Sequence, residues 1–158
     1  MRNNEKEIPR HQPPKGSKTQ NQELLYDPNV LTPSHAEQAQ TLVSKMATAT
    51  LCTMSIEPAG YPYGSFVTYA IYEGNPIFLI SGLAEHTKNL DKDSKASLLI
   101  AEAGEGNPLA LGRVTLMGDC KRLPEEHREN VRDIFLSKNP DSKFYIDFKD
   151  FYLSLIHI

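Results

Sequence analysis

The chain has 158 residues, 39% of them apolar, which is enough to bury the core of one domain of ordinary size. Its 20 acidic and 17 basic residues leave a net charge of -3, which argues against the basic surface of a general nucleic-acid binder. No apolar run approaches the roughly 20 residues of a membrane-spanning helix, and only Met1 and Ile8 are apolar in the first 22 residues, so no secretory leader is read there.

Residues 1 to 30 read as a disordered arm, because Asn, Gln, Lys and Pro leave too few apolar side chains to offset ordering entropy. The folded domain is expected over 31 to 158. Its first helix can start in two ways: Thr32 caps with Pro33 at the first helical position, or Ser34 forms a capping box with Glu37. Ala36, Ala39, Val43 and Met46 then recur at helical spacing with Leu42 beside them. After Ala47 the period changes. Thr48 to Ile56 reads as a strand, Glu57-Pro58-Ala59-Gly60 as a turn, and Ser65 to Tyr72 as a second strand. Glu73-Gly74-Asn75-Pro76 turns the chain into a third strand, Ile77 to Ser81. Connections this short imply antiparallel pairing.

Gly82 to Ser94 breaks the strand rhythm and holds one short helix. Ala96 to Glu102 is a fourth strand, and Arg113 to Leu123 a fifth with Gly118 as a kink. Pro124 opens another helix, whose buried side is Val131, Ile134 and Phe135 and which Asn139-Pro140-Asp141 ends. Five or six strands with no βαβ rhythm point to an α+β protein built on an antiparallel barrel with flanking helices.

Several motifs carry no chemistry. Gly104-Glu105-Gly106-Asn107-Pro108-Leu109 begins like a dinucleotide fingerprint, but the third glycine is absent and a strand follows instead of a helix. Cys52 and Cys120 stand alone, and the five histidines share no ligand spacing, which argues against zinc. Two lone cysteines fit a reducing compartment, so a cytoplasmic location is expected, with an organelle left open by the basic first residues.

The segment with chemical content runs from Ser81 to Leu90. It leaves a strand, opens a helix and gathers Ser81, His86, Thr87, Lys88 and Asn89 around the junction. Hydroxyl donors, a cation and helix-start N–H groups are what a phosphate dianion requires. A capped surface helix with a solvated lysine needs the same residue types. Gly60 to Val67 places two glycines and aromatic rings at a strand start, where a flat heteroaromatic ligand could lie on the sheet.

The blocks ATLCTM, GYPYGSFVTYAI, NPIFLISGLAEHTKNLDKDSKASLLIAE and PLALGRVTLMGDCKRL resemble the pyridoxamine 5′-phosphate oxidase-like FMN-binding split barrels, specifically the branch related to haem-utilisation proteins. The resemblance implies a split β-barrel homodimer with FMN in a cleft between subunits. Ser81, His86, Thr87, Lys88 and Asn89 would hold the FMN phosphate. Gly64, Ser65, Phe66 and Val67 would line the isoalloxazine ring, largely through backbone. The chain departs from the family in offering His86 and Lys88 where an arginine–lysine pair is usual. It also ends in Ser154-Leu155-Ile156-His157-Ile158, a poor match to the continuation expected, which reads as a C-terminally truncated barrel.

Three functions follow from the resemblance: an FMN-dependent oxidoreductase with no catalytic side chain of its own, a haem-binding protein with His86 rather than His157 as axial ligand, and a cofactor-free regulatory module of tetrapyrrole metabolism.

Overall fold

The structure is a computed structural model and describes residues 31–158 except Thr32 and Gly106. The arm read over 1 to 30 and the alternative cap Thr32 lie outside the described residues. Six strands, β1 (Thr48–Met54), β2 (Pro62–Tyr72), β3 (Asn75–Ser81), β4 (Lys95–Ala101), β5 (Arg113–Arg122) and β6 (Phe151–His157), pair antiparallel in the order β1-β2-β3-β6-β5-β4 and close into a barrel. The helices are α1 (His35–Lys45), α2 (Glu85–Lys92) and α3 (Arg128–Lys138).

Local chemistry sets each boundary. Ser34 caps α1 through the Glu37 N–H, and the Glu37 carboxylate reaches back to the Ser34 N–H at 2.7 Å, completing the capping box. The β2–β3 hairpin turns on Glu73 and Gly74, both at positive φ, as the right-handed twist of a two-residue hairpin demands. Strand β2 begins three residues earlier than Ser65 because Pro62 pairs with Met54 and carries the ladder to the end of β1. A 3-10 turn over Glu125–His127 precedes α3, so the regular helix starts at Arg128 rather than at Pro124.

Two apolar clusters divide the interior. One fills the barrel with Leu51, Val67, Tyr69, Phe78, Ile80, Leu98, Ile100 and Ile156. Leu42 and Val43 of α1, with Met46 just after it, close it where β1 and β5 begin, and Leu90 of α2 packs on it where they finish. The other lies outside the barrel wall, where Val131 and Phe135 of α3 cover Ala70, Ile77, Leu79, Leu153 and Leu155. Strands β3 and β6 are therefore buried on both faces, and their apolar runs do not alternate.

The tail that read as a poor continuation is the second half of β6. Leu155 pairs with Ile77 and Lys121, and Ile156 with Cys120, so this strand joins β3 to β5 and closes the sheet. The closure is steric as well as hydrogen-bonded. A Cβ added at Gly118 would land on the backbone carbonyl of His157, so only glycine lets β6 cross β5 there.

Candidate functional site

Alternation along β1, β2, β4 and β5 turns one residue set into the barrel and the other outward. Cys52 lies opposite Gly64 and Ser97, and Ser97 opposite Met117. One step along, Thr50 lies opposite Phe66 and Leu99. The outer face is thus a trough with a floor of small residues (Gly64, Cys52, Ser97, Thr50) and apolar walls. Among the described residues no helix covers those walls: Phe66 is 76% exposed, Met117 72%, Met54 40% and Leu99 39%. A groove of about 620 Å³ runs over this face between Pro62, Met54, Cys52, Ser97 and Met117, with Lys95 and Asp119 at its polar edge. Large apolar side chains that stay uncovered on one contiguous face mark a binding surface rather than scattered exposure.

The four residues expected at a flavin ring separate by parity. Gly64 and Phe66 face the trough, whereas Val67 is buried in the core and the Ser65 hydroxyl donates to the Leu51 carbonyl at 3.3 Å. Only the backbone of Ser65 and Val67 borders the outer face.

The second segment folds as the strand-to-helix junction that its residues indicated, but its polar groups are engaged internally. The Ser81 hydroxyl donates to Asp150 Oδ2 at 2.8 Å and accepts from the Leu83 N–H at 3.1 Å. Thr87, buried, donates through Oγ1 to the Ser81 carbonyl at 2.6 Å. Asn89 is 1% exposed; its Nδ2 donates to Thr53 Oγ1 at 3.0 Å, and its Oδ1 accepts from the Ile56 N–H at 3.1 Å. These bonds hold α2 on the end of β1. Lys88 pairs with Glu85 at 2.8 Å.

A hydroxyl has one proton to give, and that of Ser81 is already given to a carboxylate. As folded, Ser81, Thr87, Lys88 and Asn89 do not present a cradle that fits the phosphate of FMN.

His86 differs from its neighbours. It is half-buried on the α2 side that also carries Asn89 and Leu90, its Nε2 is sequestered from solvent, and that atom has no hydrogen-bond partner among the described residues. Burial holds its pKa below the ordinary 6.5, which favours the neutral imidazole, the form that can ligate a metal. The other internal histidines are less constrained; His127 lies 3.7 Å from Glu126 on the surface.

Both cysteines are free thiols, and burial pushes that of Cys120 up to about 12. Among the described residues no cluster of three His, Cys, Asp or Glu side chains forms a metal site, and no helix is long and apolar enough to cross a membrane.

Sequence reasoning missed the partners that come from other strands. Asp150 is 69 positions from Ser81, and nothing local couples them. Met117 and Leu99 give a weak signal: Met117 is a large apolar residue among polar outward neighbours in β5, and Leu99 is the one large apolar residue in the outward set of β4.

Comparison with known proteins is consistent with this geometry. Residues 31–158 match the family described as CREG, beta-barrel. The Non-canonical heme oxygenase HOZ, chloroplastic, of Arabidopsis thaliana is 39% identical over 119 residues, which are 75% of this chain and 36% of that protein. The structure of a heme binding protein from Mycobacterium smegmatis superposes with a TM-score of 0.75 at 37% identity, covering 82% of this chain and 53% of that one. The heme storage protein HutZ of Vibrio cholerae, at 18% identity and a TM-score of 0.64 over 76% of this chain and 87% of its own, shares the fold. The chain thus spans 36% of the curated relative and 53% of the Mycobacterium chain.

Proposed function

The chain belongs to the CREG beta-barrel family, within the FMN-binding split barrels and beside haem-binding relatives, and from that premise we propose that it binds haem on the outer face of its barrel. The observation that carries this reading is the uncovered trough, with Gly64, Cys52 and Ser97 as floor and Phe66, Leu99 and Met117 as walls. A flat macrocycle needs a floor without protruding side chains and apolar groups on its flanks, and this face supplies both.

In this proposal His86 would hold the haem iron: burial favours its neutral imidazole, and its Nε2, which has no partner among the described residues, would have to turn out of its sequestered position to reach the trough. Bound haem would supply the iron redox chemistry, and the protein would supply orientation and exclusion of water. A second copy of the chain laid on the same face would bury Phe66 and Met117 of both subunits, so a homodimer with its ligand between the subunits is part of the proposal. The relative named as chloroplastic keeps an organelle beside the cytoplasm as the proposed location.

Titration of the protein with haemin tests this reading. A saturable Soret shift that His86→Ala abolishes is the expected result. A shift unchanged in His86→Ala removes His86 from the role, and no shift in the wild type removes haem.

The alternative, an FMN-dependent oxidoreductase, rests on the fold family and on the exposed backbone at Gly64 beside Phe66. It requires yellow protein, or a flavin spectrum that shifts on mixing.

A further inference from the structure

The junction between β3 and α2 has the components of an anion site and also two carboxylates that take them up. We propose that Asp150, with Glu85 in support, makes this protein reject phosphate-bearing ligands such as flavin mononucleotide. The accompanying preference for haem rests on the reading above; the rejection of phosphate does not.

Three observations support this. First, Ala84 caps α2 without a side-chain bond, and the Thr87 and Lys88 N–H groups turn back to the Ala84 carbonyl, so only the N–H groups ahead of Thr87 are open to an anion, with Ser81 and Lys88 beside them. Second, the Ser81 proton goes to Asp150 Oδ2 at 2.8 Å, and the Gly82 N–H goes to the Asp150 carbonyl at 2.6 Å, so one residue of β6's approach occupies both groups at the strand end. Third, Glu85 sits in the first turn of α2 and takes Lys88 at 2.8 Å. A phosphate placed here would meet two acceptor-only groups of its own charge sign and a hydroxyl with no proton left.

The two carboxylates are not equal. Lys88 and Glu85 are each about half exposed, with side-chain exposures of 52% and 43%, so water screens that pair and Lys88 can leave it. Asp150 is half-buried and bonded through both backbone and side chain. It is the main determinant of specificity.

Calorimetric or fluorescence titration of the full chain with FMN and with riboflavin, which lacks the phosphate, separates the charge from the ring. The wild type is expected to bind FMN no more tightly than riboflavin. Asp150→Asn keeps an acceptor for Ser81 while removing the charge, and should raise FMN affinity about tenfold without changing riboflavin. Glu85→Gln, exposed and unable to disturb the core, should give a smaller gain in the same direction. FMN bound more tightly than riboflavin by the wild type would overturn the proposal, as would FMN affinity unchanged in both variants. Haemin titrated in parallel tests the other reading: absent binding there, with the flavin pattern as expected, removes haem and leaves phosphate rejection standing.

Discussion

His86 and Asn89 lie one helical turn apart, and opposite demands fall on them. Asn89 is bonded at both ends of its amide, to the buried Thr53 Oγ1 on one side and to the part-buried Ile56 N–H on the other. Asn89→Ala strands both, so equilibrium unfolding in urea should show a loss of about 2 to 3 kcal/mol. A loss near zero would mean that water replaces the amide there. The imidazole of His86 is half-buried with no partner for its Nε2 among the described residues, and burial holds its pKa below 6.5. Between that lowered value and 6.5 the unfolded chain binds a proton that the folded chain does not, so stability falls as pH drops through this window. His86→Gln should flatten the dependence; stability curves of both proteins from neutral pH to pH 5 check this, and parallel curves would contradict it. The sequence singles out both positions and the hydroxyl at Ser81, but as holders of a phosphate rather than for these internal bonds. It did not find Asp150, because a hydrogen bond across 69 positions leaves no periodic trace.

At the scale of elements, hairpins and helices were legible because their signals are local. The Ser34–Glu37 box, the Glu73-Gly74 turn and the β-branched runs each act within a few residues. Strand β6 was not legible, since its apolar run is buried on both faces, its ladder neighbours β3 and β5 are distant in sequence, and it looks from within like an irregular tail. Gly118 was visible as a kink, but its purpose is the passage of β6. Gly118→Ala should displace β6 from β5 and cost about 2 kcal/mol or more, with a weakened unfolding transition as the readout. Gly64→Ala is the control: its Cβ would meet Thr50 Cγ2 at an ordinary 3.6 Å, so stability should hold within about 0.5 kcal/mol. Equal losses in the two variants would contradict the crossing argument.

At the scale of the molecule, helices are distributed unevenly over the barrel wall. Helix α3 covers β3, β6 and part of β2, while the outer faces of β1, β4 and β5 keep Met54, Leu99 and Met117 open. The barrel architecture followed from strand count and short connections, but which side stayed bare did not, because that depends on where α3 docks. A bare apolar face predicts association, and light scattering of the wild type should give twice the chain mass, with Phe66→Glu shifting it to one chain. The most direct test of the account is haemin titration of the wild type against Met117→Glu and Phe66→Glu, followed at the Soret band. The trough reading predicts saturable binding by the wild type and affinity at least about tenfold weaker in both variants; full affinity in both, or no binding by the wild type, would contradict it.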